Sequence, residues 1–384
     1  MRHDIRVRER AADGVRAPAG PDGLTPRTGT RPVTPRTGVL IGPVGLAWRP
    51  RVLVVTLVAL GLALALLVAS VAVGATALPP LTVARALTGG GSPTDHFLVV
   101  TLRLPRALTG ALAGLALGVA GALTQTFTRN PLATPDILGV TSGASLGAVS
   151  AIVLGGGGYA MGAAVLGGTV PAAATAGALL AAVLVYGLGL RGGTQSYRIV
   201  LVGIGVGATL DALTSYLLVK AQITQATAAS EWLVGSLSGT SWTSVWPLLV
   251  STGTGLPLAL ATSAALALGQ LDDDVATGVG LAVRRHRLLV IALAVLLTAG
   301  AVAAAGPVGF VAFVVPQIAV RVSRAARPPL ALSGLLGAAL VLGADLVART
   351  LFPWEVPVGI LTTVAGAPYL IWLLVRHRKE MTSA

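Results

Sequence analysis

Two arginines, Arg103 and Arg106, stand at the start of a long apolar run and have a side chain suited to binding another molecule. Residues 107–128 carry no charge, and the next charged residue is Arg129. A guanidinium group binds a carboxylate through two parallel hydrogen bonds. The two charges have no evident partner in the sequence around them. This predicts that they meet either acidic groups of another protein or the anionic headgroups of lipids.

Two aspartates lie inside other apolar runs. Asp345 precedes Arg349 by four residues, and this helical spacing predicts an ion pair that holds the guanidinium in a fixed pose. Asp211 has no such neighbour. Placing a charged acid within a membrane costs free energy. We therefore expect Asp211 either to be hydrogen-bonded in a packing role or to form a site in the outer third of its span.

A charged segment, "LDDDVATGVGLAVRRHR" (residues 271–287), separates two apolar runs. Its three aspartates precede a short stretch with helical potential, and arginines follow that stretch. Acids at the start of a helix and bases beyond its end complement the helix dipole. The segment is either a solvated loop or a short helix presented to a cytoplasmic partner.

Several kinds of chemistry are excluded by residue type. The chain has no cysteine, which removes thiol nucleophiles and thiolate metal sites. Its two lysines follow Val219 and Arg378, so the lysine of a nucleotide-binding GxxxxGK[ST] loop is missing. The four histidines lie outside the apolar runs. We therefore expect no enzyme activity, no cofactor and no resident metal.

The composition predicts an all-α, polytopic membrane protein. The chain is 54% hydrophobic and 11% charged, with a mean hydropathy of +0.83. About 20 apolar residues span a bilayer as a helix. Ten spans are predicted, near residues 52–74, 107–127, 136–154, 161–190, 199–220, 244–269, 287–305, 308–322, 330–350 and 356–375.

Basic residues predict the topology. The uncharged run 288–320 lies between two arginine clusters, and an even number of crossings places both clusters in the cytoplasm. Two segments meeting at Gly306-Pro307 satisfy this condition. Ten spans then place both termini on the cytoplasmic side of a bacterial cell membrane. The net charge of +13 reflects these flanking residues and does not indicate nucleic-acid binding. The outer side keeps five basic residues: Arg85, Arg103, Arg106, Lys220 and Arg349.

Three regions divide the chain. Residues 1–48 are rich in Arg, Pro, Gly and Thr, contain "TPRTG" twice, and predict a disordered basic cytoplasmic tail. Residues 49–378 form the predicted ten-helix transmembrane domain, and residues 379–384 a short cytoplasmic C-terminal tail.

Glycines at four-residue spacing lie on single faces of the second and third spans. Small residues at this spacing let membrane helices pack closely. The positions are Gly110, Gly114 and Gly118, and then Gly139, Gly143 and Gly147.

Taken together, several stretches resemble the permease family of ABC importers for iron-siderophores, haem and vitamin B12. They are "LRLPRALTGALAGLALGVAGALTQ", "NPLATPDILGVTSGASLGA", "WLVGSLSG", "GPVGFVAFVVPQIAVR", "ADLVART" and "PVGILTTVAGAPYLIWLL", in the family's order. The resemblance covers residues 50 to about 378. It implies a type II ABC importer permease fold with two cytoplasmic ATP-binding subunits, an extracytoplasmic substrate-binding protein and a second permease subunit.

The resemblance also implies roles for particular residues. The arginines that receive acidic residues of the binding protein would be Arg103, Arg106 and Arg349. The ATPase-coupling residues would be Asp273, Asp274, Ala276, Gly278 and Gly280. Pathway or gate candidates are Asp211, Gly306, Pro307, Gly309, Pro316 and Gln317. Two of these depart from the family, since Gln317 replaces a usual histidine and Asp211 lies in a span that is generally apolar.

The implied function is uptake of a metal chelate, with ferric siderophore as the first expectation and vitamin B12 or haem as alternatives. A proton-coupled secondary transporter or exporter is the competing hypothesis. It predicts several buried acids along a pathway, whereas the apolar runs contain essentially one isolated acid. A structural scaffold is a third hypothesis, and it needs no docking arginines.

Overall fold

The structure is a computed structural model that describes residues 38–41, 44–47, 50–74, 77–155, 169–189 and 196–382. The predicted tail lies mostly outside these residues. Its end forms a small antiparallel hairpin of two strands, β1 (Gly38–Ile41) and β2 (Val44–Ala47), with Ile41 opposite Val44. The prediction of a disordered cytoplasmic tail over residues 1–48 stays a prediction, because most of that segment lies outside the described residues.

The rest of the described chain is helical. The compact helical unit begins at Pro50, close to the predicted boundary. In chain order its helices are α1 (Pro50–Ala72), α2 (Pro80–Leu87), α3 (Pro93–His96), α4 (Leu104–Thr128), α5 (Val140–Leu154), α6 (Thr169–Gly189), α7 (Ser196–Lys220), α8 (Ile223–Leu233), α9 (Trp242–Ala261), α10 (Ser263–Leu268), α11 (Asp273–Gly278), α12 (Val283–Ala305), α13 (Val311–Ser323), α14 (Leu330–Thr350) and α15 (Val358–Thr382).

Each of the ten predicted spans contains an apolar helix. Seven described helices are long and apolar enough to cross a membrane, and α5, α13 and the first part of α15 are shorter apolar helices. Residues 161–168 of the fourth predicted span lie outside the described residues. The last helix continues to Thr382, so the predicted tail at 379–384 is largely helical. A helix continued past the membrane keeps its own backbone hydrogen bonds, which explains the difference.

Helix α4 lies at the centre of the bundle. It packs against α14, α12, α13 and α9, and 78% of its membrane-length apolar window is buried. A π-helical segment, Phe97–Arg103, joins α3 to α4 and brings Arg103 and Arg106 to one end of this helix. Peripheral helix α1 is only 11% buried over its corresponding window.

The predicted glycine contacts are confirmed where two helices cross. A Cβ atom added to Gly114 would lie 2.3 Å from the carbonyl oxygen of Gly337 on α14. On α5, a Cβ at Gly143 would lie 2.4 Å from the carbonyl oxygen of Gly177 on α6. Backbones this close exclude any side chain. Gly139 differs from the prediction, since its φ of 66° makes it the left-handed residue that precedes α5.

The predicted break at Gly306-Pro307 is confirmed. Helix α12 ends at Ala305, Gly306 has a φ of 69°, and α13 begins at Val311. Five residues, 306–310, separate the two helices. The short α13 therefore follows α12 as a separate segment.

Candidate functional site

The predicted outer arginines form a cluster around one buried carboxylate. Asp345 of α14 is 1% exposed, and its Oδ1 accepts hydrogen bonds from Nε and Nη2 of Arg106 at 3.0 and 2.9 Å. The predicted pair with Arg349 is confirmed, since Arg349 Nε lies 3.1 Å from Asp345 Oδ2. These two atoms are close enough for an ion pair but are not aligned for a hydrogen bond. Asp345 thus balances two arginines from different parts of the chain.

Arg103 and Arg349 also bind the end of α1. Arg103 Nη1 donates to the carbonyl oxygens of Val71 and Ala72 at 3.1 and 2.9 Å. Arg349 Nη2 donates to the carbonyl oxygen and the hydroxyl of Ser70 at 3.1 and 2.8 Å. The last carbonyl groups of a helix lack partners within it and carry partial negative charge, so two cations satisfy them.

The prediction that Arg103 and Arg106 lack a partner within the chain is therefore wrong. Arg103 is 8% exposed, and Arg106 is 15% exposed at its side chain. Sequence reasoning considered only neighbours along the chain, whereas the partners come from α1 and α14. One sequence signal was available, since the last turn of α1 contains no basic residue to satisfy its carbonyl groups.

Glu355 is a further member of this cluster that sequence reasoning missed. It lies between α14 and α15, its side chain is 52% exposed, and its Oε1 accepts a hydrogen bond from Arg106 Nη1. Burial alone would raise the pKa of Glu355, but the hydrogen bond and charge of Arg106 outweigh it and lower this pKa. The hydroxyl of Ser238 also interacts with the carboxylate.

A cavity of about 280 Å³ lies against the segment between α8 and α9, to which Ser238 belongs. Its lining includes the hydroxyl groups of Ser238 and Thr240 between α8 and α9 and of Ser244 in α9, together with Glu231 and Trp232 of α8. The remaining wall comes from α5, the start of α6 and the end of α12. Its polar rim could form hydrogen bonds to a solute.

The predicted coupling segment is a short helix, α11, at the opposite end of α4. Asp273 pairs with Arg287 at 2.6 Å, and Arg129 lies 3.7 Å from the same carboxylate oxygen. Arg129, which follows the end of α4, also donates to the carbonyl oxygen of Leu271. These contacts connect α11 to both α4 and α12.

The predicted contact residues in and after α11 differ in their exposure to solvent. Asp274, Gly278 and Gly280 are exposed, and no atom lies within 4 Å of a Cβ added to either glycine. Ala276 is 1% exposed. The Ala276 side chain faces the bundle and anchors the helix, and its contact with a partner stays a prediction.

Two apolar side chains on α11 and beyond it were not predicted. Val275 is 54% exposed and Val279 is 56% exposed. They stand four residues apart, on one face of the turn. This face of α11 therefore combines two exposed valines with the exposed Asp274 and Gly278.

The predicted gate residues occupy two different environments. Gln317 is 7% exposed, and its Nε2 donates to Gln125 Oε1 at 2.7 Å. Gln125 Nε2 in turn donates to the carbonyl oxygen of Phe313 at 3.0 Å. Pro316 is buried with them. In this conformation the two residues connect α4 to α13 inside the bundle.

The other gate candidates lie in the connection between α12 and α13. A Cβ at Gly306 would lie 2.5 Å from the carbonyl oxygen of Trp232, and a Cβ at Gly309 would lie 2.9 Å from the hydroxyl of Thr363. A Cβ at Gly235 would lie 2.3 Å from the carbonyl oxygen of Pro307. This connection is therefore packed against the segment that lines the cavity.

Asp211 is exposed on α7. Within the part of the chain that the structure describes, its carboxylate makes neither a hydrogen bond nor an ion pair. The predicted packing role is therefore not seen here. Its neighbours on the exposed face include Ala208, Ala212 and Ser215.

No cluster of three or more His, Asp or Glu side chains able to hold a metal ion occurs among the described residues.

The helical fold, with the arginine cluster at one end of α4 and the charged segment around α11 at the other, is that of a multi-pass helical membrane permease.

The chain belongs to the FecCD transport family, whose model matches residues 50–376. It is 39% identical to the ferric enterobactin transport system permease FepG of Escherichia coli, over 80% of this chain and 91% of that protein. It is 40% identical to the achromobactin transport system permease CbrC of Dickeya dadantii, over 83% and 90%. The cobalamin import system permease BtuC of Halobacterium salinarum is 41% identical, over 77% and 79%.

A solved structure of a metal-chelate type ABC transporter in an inward-facing conformation is also similar. It has a TM-score of 0.74 and 27% identity, covering 84% of this chain and 99% of that one. The family resemblance and the predicted permease fold are confirmed, and the chain is a transport protein rather than an enzyme.

Proposed function

We propose that this chain is the membrane subunit of an ATP-driven importer that moves a ferric siderophore into the cell. The observation that carries this proposal is the pair of charged surfaces at opposite ends of α4. One is the arginine cluster around Asp345, and the other is the exposed face of α11. A permease that binds a substrate-binding protein on one side and an ATP-binding subunit on the other needs two such surfaces.

The arginine cluster would dock the substrate-binding protein. Arg106 and Arg349 share one buried carboxylate, so the cluster of Arg103, Arg106, Arg349, Asp345 and Glu355 keeps a net positive charge. An acidic surface on the binding protein would gain register and a faster encounter from that charge. Because Arg103 is buried against α1, it contributes to the field of the cluster and supports its geometry.

Helix α11 would enter a cleft of an ATP-binding subunit. Val275 and Val279 supply apolar contact, and the exposed Asp274 can meet basic groups of the motor. The ion pairs of Asp273 with Arg287 and Arg129 would transmit movement of α11 to α12 and α4. Two such motor subunits and a second permease subunit, identical or paralogous, would complete the transporter.

Asp211 supports a particular position for α7. An unpaired carboxylate facing lipid tails would cost several kcal/mol, about 2.5–3.5 on insertion scales. The exposed face around Asp211 combines this acid with small side chains. We infer that this face lines the pathway between two permease subunits, where water or the partner solvates the charge.

The substrate follows from the relatives and from energetics. Of the relatives named above, one belongs to a ferric enterobactin transport system, one to an achromobactin transport system and one to a cobalamin import system. We infer a ferric siderophore, with vitamin B12 or haem as alternatives. A chelate supplies no gradient of its own, so the free energy for accumulation would come from ATP.

The distribution of basic residues supports the proposed orientation. The cytoplasmic side would hold Arg129, Arg287 and the arginine-rich N-terminal region. Both termini would then lie on that side of the bacterial membrane. The docking cluster would then face outward.

Reconstituted transport tests this proposal. The chain, its ATP-binding subunits and its cognate binding protein are placed in proteoliposomes and supplied with iron-loaded siderophores, cobalamin or haem. ATP-dependent accumulation of a ferric siderophore is expected. Uptake by the chain alone on a pH difference would contradict the proposal.

A further inference from the structure

An exposed apolar loop follows α14, directly after the arginines of the docking cluster. Its residues 351–354 are all exposed, and we call them the aromatic loop. Leu351 is 71% exposed, Trp354 is 68% exposed, and the rings of Phe352 and Trp354 lie 6.5 Å apart. Large apolar side chains exposed together mark a surface that a membrane or another protein covers.

Both ends of the aromatic loop are held by the arginine cluster. Arg349, two residues before the loop, is paired with the buried Asp345. Glu355, the residue directly after the loop, accepts a hydrogen bond from Nη1 of Arg106. The apolar side chains of the loop are therefore continuous with the positive charge of the cluster, and the two form one surface.

The position of the aromatic loop favours a protein partner over lipid. Through Glu355 and Arg106 the loop is attached to the first turn of α4, and α4 is surrounded by α14, α12, α13 and α9. Beyond the loop, the amide of Gly359 donates to the carbonyl oxygen of Gly235 at 3.0 Å, which holds the start of α15 against the segment between α8 and α9. The loop thus lies across the end of the bundle, whereas aromatic residues of a membrane interface lie at the lipid-facing perimeter.

Charge and residue type indicate what this surface binds. The cluster keeps a net positive charge, so its partner carries acidic groups. Tryptophan and arginine are the residues most enriched among those that dominate the affinity of protein interfaces. A partner that presents acidic groups around an apolar depression would fit both parts of the surface.

We propose that the aromatic loop is the apolar anchor of the docking surface, and that Trp354 and Leu351 enter a depression between the acidic groups of the substrate-binding protein. This inference rests on the docking role proposed for the arginine cluster. The arginines set the register and speed the encounter. Burial of the aromatic loop slows dissociation, because most differences in affinity at one interface lie in the dissociation rate.

Docking kinetics test the anchor. The permease with its ATP-binding subunits is held in lipid nanodiscs, and surface plasmon resonance follows its cognate binding protein at low and high salt. Trp354→Ala should raise the dissociation rate about five- to thirty-fold, the effect of truncating a dominant interface residue. High salt should slow association equally for wild type and variant. Trp246→Ala, which removes a tryptophan that is 59% exposed on α9, is the control and should change neither rate.

Fluorescence quenching locates Trp354 without relying on docking kinetics. The contribution of Trp354 is the difference between wild type and Trp354→Phe, and that of Trp246 comes from Trp246→Phe. Aqueous iodide should quench Trp354 in the free permease, and docked binding protein should protect it. Brominated phospholipid in the nanodisc should quench Trp246 but not Trp354.

The outcomes separate the anchor from the docking role. An unchanged dissociation rate in Trp354→Ala, with association still slowed by salt, would overturn the anchor and leave the docking proposal standing. Quenching of Trp354 by brominated lipid would also overturn the anchor, because the loop would then lie in the membrane. Absence of binding to the wild type, or association that salt does not slow, would contradict the docking role and the anchor with it.

Discussion

Arg106 and Asp345 are 239 positions apart in the chain, yet Nε and Nη2 of the arginine converge on one oxygen of the aspartate at 3.0 and 2.9 Å. The contact joins the first turn of α4 to the last turns of α14. Asp345 also lies 3.1 Å from Arg349. A buried acid thus fixes two arginines that the family resemblance assigns to docking.

Replacing Asp345 by alanine should strongly destabilise the protein. The change leaves two arginines near the end of α14 without their shared carboxylate, and removing one partner of a buried ion pair costs about 3–5 kcal/mol. Thermal unfolding in detergent micelles should show a clear fall in Tm. Asp274→Ala, at an exposed position of α11, is the control. Equal Tm values for the two variants would contradict the structural role of Asp345.

Gly114→Ala should separate α4 from α14. The new methyl group would lie 2.3 Å from the carbonyl oxygen of Gly337, so the helices must move apart. Overpacking of this kind costs about 1–3 kcal/mol. Gly61→Ala is the matched control in α1, where no atom lies within 4 Å of the added Cβ. We expect a lower Tm for Gly114→Ala only; an equal fall for both would show that helix contact is not the cause.

Gln125 and Gln317 should behave as a coupled pair. Gln317→Leu leaves Gln125 Oε1 without its donor inside the bundle, which costs about 1–3 kcal/mol. Changing both glutamines to leucine removes both polar groups and should cost less than the sum of the single changes. A double-mutant cycle on unfolding free energy measures this coupling. If the loss of unfolding free energy in the double mutant equalled the sum of the two single losses, Gln125 and Gln317 would not be coupled.

Gly278→Leu should uncouple the permease from its motor without harming the fold. The position is exposed, with open space around the added Cβ, so the unfolding temperature should stay close to that of the wild type. A bulky side chain there would block close approach of an ATP-binding subunit. We expect the motor to be lost on co-purification. Gly253→Leu, an exposed position on α9, is the control and should retain it.

The Arg106–Glu355 pair should persist to acidic pH. The folded-state pKa of Glu355 is lowered, so its contribution to stability is fully present above the unfolded-state pKa of about 4.3 and is lost as pH falls through the lower folded-state value. The Tm difference between wild type and Glu355→Gln should be constant from pH 7 to about 5 and vanish at lower pH. A difference that disappears between pH 7 and 5 would contradict this assignment.

The sequence was sufficient for the architecture of the membrane domain. Apolar runs predicted the positions of the ten apolar helices, because a span is largely a local property of one stretch of chain. The run 288–320 had to be divided by orientation and by its Gly-Pro break. The break at Gly306-Pro307, the glycine contacts of Gly114 and Gly143, and the pair Asp345–Arg349 were also predicted from local spacing. The motif stretches identified the family.

Only the tertiary structure decided which charges meet. Arg103 satisfies carbonyl groups of α1, Arg106 binds Asp345 and Glu355, and Gln317 pairs with Gln125 of α4. Each of these contacts joins residues that are far apart along the chain, and no local periodicity encodes them. Packing of α4 against α1, α13 and α14 brings them together, and burial then makes each partner obligatory, because an unpaired polar group inside a protein is costly.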